Sequence, residues 1–260
     1  MEQPIFLFAS GWRTGSTLVQ RVLSSHRDIV IWGENHGLIP VLQEARQTVV
    51  GLQQYGPRHL ENYQKQGGRA WMAMMNPPLR EFDEGLRRLL ETYYGEPARE
   101  LGKSRWGFKE VRHTLSVAEF LCQLYPAARV LLLLRHPADC LASARATRVP
   151  PFKKGILAEV GGPRGFLETW TRIASSFANA GRIPSLTLRY ENLVEDPAGM
   201  ISRVGEFLGV SANDFDPGVF ETRRRGWLGL PPRLTREDRC WLKSDWLWEA
   251  AGKHGYHPNP

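Results

Sequence analysis

Short, almost continuously apolar runs recur along the chain, separated by longer segments with a different spacing. The runs that we interpret as strands are residues 5–9, 29–32, 106–108, 130–134 and 186–188. Strands covered on both faces show this continuous pattern, whereas half-exposed strands alternate apolar and polar residues. The pattern therefore predicts a buried sheet of about five strands.

Apolar residues spaced three or four apart, as on one face of a helix, fill the segments between these runs. This spacing is found over residues 17–23, 115–125, 138–146, 166–177 and 200–208. Strands that alternate with helices form a parallel sheet, because each crossover helix returns the chain to the same edge and covers one face. We therefore predict an α/β fold of three layers, with a central parallel sheet and helices on both faces.

The segments that remain are longer than ordinary loops. Residues 41–105 contain one amphipathic helical pattern among stretches rich in Gly and Pro, and residues 148–165 have the composition of a loop. No linker divides the chain, so we expect residues 1–260 to form one domain with insertions at 41–105, 148–165 and 223–260. Insertions of this kind shape the substrate pocket of an α/β enzyme.

The composition favours an anionic ligand. The net charge is +7, and of the 34 basic residues only seven are lysine. The planar donors of arginine suit phosphate and sulfate oxygens, although a genomic preference for arginine codons explains the composition equally well. Because the basic residues are scattered and no aromatic–basic module is present, we expect no nucleic-acid partner.

A membrane span and a disulfide framework are both unexpected for this chain. No segment approaches the roughly 18 consecutive apolar residues that a membrane span needs. The three cysteines, Cys122, Cys140 and Cys240, lie far apart and offer no metal-type pair. An odd number of separated cysteines suits reduced thiols, so we expect a cytoplasmic protein.

The strongest chemical motif lies between the first strand and the first helix. It reads Gly11-Trp12-Arg13-Thr14-Gly15-Ser16-Thr17. A turn there exposes backbone N–H groups at a helix N-terminus, where the dipole favours an anion, and Ser16 and Thr17 add hydroxyl donors. A nucleoside-triphosphate loop would have four residues between its glycines and a lysine at position 16, so this phosphate cradle is of another kind.

Other polar residues follow other strands. Arg135 comes directly after the fourth strand and Ser143 eight residues later, so two turns of helix bring both toward one phosphate. Lys109 and Tyr190 stand at the ends of the third and fifth strands. Each has a structural explanation as well, Lys109 as a solvated strand end and Tyr190 as a core aromatic.

Together these segments resemble the sulfotransferases that use 3′-phosphoadenosine-5′-phosphosulfate (PAPS), especially the tyrosylprotein and bacterial glycan or metabolite enzymes. The loop at 11–17 is similar to the family's 5′-phosphosulfate loop, with Trp12 in place of proline. Arg135 with Ser143 is similar to its 3′-phosphate site. The resemblance implies a P-loop-like fold, donor contacts from these residues and from Tyr190, and contact between Lys109 and the bridging oxygen of the donor. In some members a basic segment, here 223–226, closes over the nucleotide; a solvated charge run is the alternative.

The resemblance does not assign the general base. Tyrosylprotein sulfotransferases use the second of two consecutive glutamates after the second strand, where this chain has Glu34 followed by Asn35. Glu34 and His36 both lie just beyond that strand, on the side of the phosphate loop. We therefore rank Glu34 first, His36 second and His113 third. The alternative for Glu34 is a structural carboxylate paired with Arg13 or capping the next turn.

The predicted reaction is in-line transfer of a sulfuryl group from PAPS to a hydroxyl, which leaves adenosine 3′,5′-bisphosphate. The acceptor is a small molecule, a glycan or a peptide. Arg13, Lys109 and the loop amides would stabilise the leaving phosphate, so no metal is needed. A P-loop kinase or nucleotidase is one alternative, opposed by the missing lysine. A catalytically inactive nucleotide-binding module that acts as an interaction protein is the other.

Overall fold

The computed structural model describes residues 3–146, 155–224 and 234–258. Its strands are β1 (Ile5–Ala9), β2 (Ile29–Trp32), β3 (Arg105–Glu110), β4 (Arg129–Leu134) and β5 (Ser185–Arg189). They form one parallel sheet in the order β2-β3-β1-β4-β5. All the predicted strands are confirmed, with bounds that differ by at most two residues at either end.

Helices connect the strands and cover both faces of the sheet. They are α1 (Ser16–Ser25), α2 (Leu38–Leu52), α3 (Gly56–Gln66), α4 (Leu79–Leu90), α5 (Glu96–Glu100), α6 (Leu115–Leu124), α7 (Pro137–Ala146), α8 (Ile156–Glu159), α9 (Gly162–Phe177), α10 (Tyr190–Glu195), α11 (Pro197–Leu208), α12 (Arg236–Trp241) and α13 (Asp245–Gly252). The predicted three-layer α/β architecture is confirmed. No helix of the described residues is long and apolar enough to cross a membrane.

Alternate residues of the central strand β1 enter two separate cores. Phe6 and Phe8 pack with residues of α4, α6 and α9, whereas Ile5, Leu7 and Ala9 pack with residues of α1 and α11. Every residue of β1 is fully buried. A strand covered on both faces cannot tolerate a polar side chain on either, which explains its continuous apolar sequence.

The segment 41–105 is more helical than predicted. Instead of one helix among loops, it contains most of α2, all of α3, α4 and α5, and a π-helical turn at Glu91–Gly95. The prediction of a single helix is wrong, because glycine and proline occur at the starts of helices as well as in loops. Pro57 in fact occupies the first turn of α3, where its missing N–H costs nothing.

The predicted loop at 148–165 is also partly helical. Its second half contains α8 and the start of α9, whose first turn again holds a proline, Pro163. Residues 147–154 lie outside the described part of the chain. The basic run 223–226 extends into residues 225–233, which lie outside it as well.

The parallel arrangement brings the carboxyl ends of all the strands to one edge of the sheet. Ala9 is paired with Leu133, and Leu134 with Arg189, so the residues that follow β1, β4 and β5 are neighbours there. From β1 the chain runs to β2, on one side of β1 in the sheet. From β3 it crosses to β4, on the other side of β1. In open α/β sheets, ligands bind at the edge where strand order reverses in this way.

Gly107 permits the close contact between β3 and β1, because a Cβ there would overlap the carbonyl oxygen of Ile5. We expect Gly107→Ala to lower the free energy of unfolding by about 3 kcal/mol, the upper range for overpacking. Urea denaturation measures the change. In the control Gly85→Ala, on α4, the new Cβ meets nothing within 4 Å. That variant should gain about 0.5–1 kcal/mol from helix propensity, and equal stability of the two variants would contradict the assignment.

Candidate functional site

The loop between β1 and α1 has the backbone of an anion cradle. Gly11 (φ 140°), Arg13 (φ 67°) and Gly15 (φ 93°) have positive φ. Gly15 is the N-cap of α1 and has no side chain with which to satisfy the first amides of the helix. These amides and the positive end of the helix dipole therefore point beyond the N-terminus, as at phosphate sites. The Thr14 hydroxyl donates to the carbonyl oxygen of Gly11 (3.0 Å) and braces the loop.

The loop and the end of β4 are in direct contact through two arginines. The Nε of Arg13 donates to the hydroxyl of Ser143 on α7 (3.1 Å). An Nη of Arg135 donates to the carbonyl oxygen of Arg13 (2.9 Å). The two anion sites that separate parts of the sequence predict are therefore adjacent. The side chains of Arg13, Arg135 and Ser143 that join them all carry hydrogen-bond donors.

Tyr190 completes this cluster from the end of β5. Its ring centroid lies 4.3 Å from the guanidinium carbon of Arg135. Tyr190 also lies against Gly15, where a Cβ would overlap the Tyr190 ring. Gly15 is therefore required both for its left-handed backbone and for this close approach. The structure brings Arg13, Arg135, Ser143 and Tyr190 together, as the sequence predicted.

Two positive charges lie close together in this cluster. Burial, and next the positive charge of Arg135, lower the pKa of Arg13. Like charges that are partly removed from water destabilise each other, and a bound anion would relieve the repulsion. The electrostatics therefore favour an anion beside the loop.

A second cluster surrounds Glu34 at the ends of β2 and β3. The Nζ of Lys109 lies 2.6 Å from one carboxylate oxygen of Glu34, and Arg112 lies 3.1 Å from the other. The guanidinium of Arg112 lies over the Trp12 ring, 5.7 Å from its centroid. Glu34 is thus paired with Lys109 and Arg112, whereas the alternative explanation named Arg13 as its partner. Arg112 was missed in the sequence, although its position two residues past a strand end was a usable signal.

Glu110 anchors this second cluster to the sheet. It is fully buried, and one of its carboxylate oxygens accepts the backbone N–H of Asn35 (2.8 Å). The other lies 3.6 Å from the Nε2 of His113. Burial raises the pKa of Glu110 and lowers that of His113, because each charged form is poorly solvated there. Glu110 holds the start of the loop that carries Glu34, a role that the sequence alone did not indicate.

His36 is not brought into either cluster. Its side chain is exposed and its backbone has φ 50°. Within the described ranges, its imidazole forms no hydrogen bond or ion pair. The described residues also contain no group of three His, Cys, Asp or Glu side chains arranged to hold a metal ion. The residues that could bind a nucleotide are those of the loop at 11–17 together with Arg135, Ser143 and Tyr190.

The chain that carries this site is similar to known proteins. The family model for the sulfotransferase family matches residues 4–214. The sulfotransferase domain from the Synechococcus PCC 7002 olefin synthase is 18% identical, with a TM-score of 0.53 over 100% of this chain and 98% of that one. The sulfotransferase domain from the curacin biosynthetic pathway is 16% identical, with a TM-score of 0.55 over 100% and 99%.

At such low identity the two solved structures establish the fold alone. No curated protein matches the chain. The family model, however, spans β1 to β5 and both clusters described above. This chain therefore belongs to the sulfotransferase family.

Proposed function

We propose that the protein transfers a sulfuryl group from PAPS to a hydroxyl of an acceptor, with adenosine 3′,5′-bisphosphate as the other product. The observation that carries the proposal is the contact between the two anion sites, in which Arg135 binds the backbone of Arg13 and Arg13 binds Ser143. A nucleotide with phosphate groups at both of its ends needs two neighbouring sets of donors. A nucleoside triphosphate would need only the first.

We assign one end of the nucleotide to each site. The amides of the loop at 11–17, with the hydroxyls of Ser16 and Thr17, would hold the 5′-phosphosulfate at the N-terminus of α1. Arg135 and Ser143 would hold the 3′-phosphate. Tyr190 presents an aromatic surface beside Arg135, which suits the adenine ring.

Alignment and charge neutralisation would perform most of the catalysis, as in phosphoryl transfer. The acceptor oxygen attacks sulfur, the sulfur–oxygen bond to the 5′-phosphate breaks, and Glu34 takes the proton of the hydroxyl. Arg13 and Lys109 stabilise the charge that develops on the leaving phosphate. The pairing of Lys109 with Glu34 couples these events, since protonation of Glu34 frees the charge of Lys109 for the leaving oxygen.

Glu34 remains the first candidate for the base on geometric grounds. It contacts Lys109 directly, whereas His36 is exposed and His113 faces the buried Glu110. The acceptor is proposed to be a hydroxyl-bearing small molecule, glycan or peptide, bound by the insertions at 41–105, 148–165 and 223–260. The one-domain organisation of the chain and its cytoplasmic location stay predictions.

Binding of adenosine 3′,5′-bisphosphate tests the donor assignment. We expect measurable affinity by calorimetry, and no competition from ATP with magnesium. Arg135→Ala should weaken binding by about 10- to 100-fold, since a hydrogen bond to a charged group contributes about 1.5–3 kcal/mol. The control is Arg80→Ala, at a side chain that is 82% exposed and paired with Glu81. Binding of ATP in preference to the bisphosphate would favour the kinase alternative.

Turnover tests the role of Arg13. We expect Arg13→Ala to reduce kcat by at least about 100-fold, the scale of removing one transition-state donor. The measurement is release of adenosine 3′,5′-bisphosphate from PAPS with phenolic and sugar acceptors, before and after treatment with a chelator. The chelator should have no effect. Near-normal turnover in Arg13→Ala would refute the assignment.

The same assay identifies the base. We expect Glu34→Gln to lower kcat by about 100- to 10,000-fold, and by more than His36→Asn or His113→Gln. Glu206→Gln, at an exposed position of α11 outside the insertions, is the matched control. If His113 is the base instead, kcat should fall as the pH is lowered through the pKa of His113, because the protonated imidazole cannot accept a proton. Its lowered pKa places that loss below the usual histidine range.

A further inference from the structure

Arg135 is held from behind by residues outside the two clusters. Its carbonyl oxygen accepts the indole N–H of Trp170 on α9 (3.1 Å). The backbone N–H of the next residue, His136, donates to a carboxylate oxygen of Glu191 on α10 (2.8 Å). Both polar atoms of the peptide group between Arg135 and His136 are therefore bound, which limits how the backbone that carries the Arg135 guanidinium can move.

Glu191 is in turn held by the segment that follows α13. Its second carboxylate oxygen accepts the hydroxyl of Tyr256 (2.8 Å). Tyr256 is 3% exposed, and the guanidinium of Arg189 lies 4.2 Å from its ring centroid. Burial and the negative charge of Glu191 raise the pKa of Tyr256, so its hydroxyl remains a hydrogen-bond donor throughout the neutral range.

A second contact joins the same segment to the end of β4. The Nε2 of His136 lies 2.9 Å from the carbonyl oxygen of His257. A carbonyl can only accept, so Nε2 carries the proton. The centroid of the His136 ring also lies 5.5 Å from that of Trp248 and 5.7 Å from that of Tyr256. The segment therefore contacts the side chain of the residue after Arg135 directly, and its backbone only through Glu191.

Strand register explains why this buried network bears on the site. Leu134 is paired with Arg189, so the next residues, Arg135 and Tyr190, meet across the two strands at the sheet edge. One residue further, His136 meets Glu191. Arg135 and Tyr190 belong to the candidate nucleotide site, whereas His136 and Glu191 belong to the hydrogen-bond network of Tyr256.

We propose that Glu191 and Tyr256 are positioning residues for the nucleotide, which set the separation between the ends of β4 and β5 and so hold Arg135 against Tyr190. This inference rests on the proposed function. Within the described part of the chain, Glu191 and Tyr256 form no hydrogen bond with the loop at 11–17 or with Glu34. Their loss should therefore weaken nucleotide binding more than it slows turnover.

Tyr256→Phe tests the proposal with the smallest change, because it removes only the hydroxyl. We expect the Kd for adenosine 3′,5′-bisphosphate and the KM for PAPS to rise about tenfold, with kcat within about twofold. The matched control is Tyr125→Phe, at a tyrosine outside the insertions that is also 3% exposed and donates its hydroxyl to the carbonyl oxygen of Arg87. If Tyr256 serves stability alone, Tyr256→Phe should lower the free energy of unfolding and leave both the Kd and the KM unchanged.

Two further variants keep the test independent of folding defects. Glu191→Gln keeps an acceptor for His136 and a polar partner for Tyr256, so it should retain affinity that Glu191→Ala loses. In an Arg135→Ala background, Tyr256→Phe should cost little more, because its effect passes through Arg135. Additive losses would show that Tyr256 acts by another route and would overturn the proposal.

The wild-type protein separates the two levels of inference. If it binds the bisphosphate and Tyr256→Phe binds equally well, the positioning role is wrong and the proposed function stands. If the wild type does not bind the bisphosphate at all, the proposed function fails and the positioning role falls with it.

Discussion

The hydrogen bond from Arg135 to the carbonyl oxygen of Arg13 is the contact on which the candidate site depends. It ties the end of β4 to the loop after β1, while the guanidinium of Arg13 reaches Ser143. Two arginine charges are thereby held close together and partly out of water. Their mutual repulsion favours binding of an anion beside them. Arg13 has a positive φ and belongs to the loop that precedes the N-terminus of α1, so the first amides of that helix point toward the same place.

The cluster around Glu34 complements this arrangement. One carboxylate lies between Lys109 and Arg112, so the cluster keeps a net positive charge while containing a group that can accept a proton. Arg112 also contacts Trp12, the residue before Arg13, and so links the two clusters across the loop. Glu110 fixes the backbone beside Glu34 from the fully buried end of β3. A donor of sulfuryl groups and a hydroxyl acceptor need these features side by side, namely excess positive charge and a nearby base.

Local patterns were sufficient where a single stretch of chain decides the outcome. Five buried strands were recognisable from continuous apolar runs, and the phosphate loop from glycines placed between a strand and a helix. Arg135 and Ser143 were also recognisable, because one helix sets the spacing between them. The segment at 41–105 differs from the prediction because a proline breaks the interior of a helix but is accepted in its first turn, which is the position that Pro57 occupies in α3.

The sequence by itself determined the sheet, its parallel order of strands and helices, and the donors that follow β1 and β4. Only the tertiary structure decided which charges meet. Arg112 and Tyr256 belong to no short motif. Glu110 and Glu191 lie within recognisable segments, but their partners follow other strands or lie in the last residues of the chain. From the sequence alone, several cationic side chains could have paired with Glu34. Its pairing with Lys109 follows from β2 lying beside β3 in the sheet, a long-range fact that no local spacing encodes.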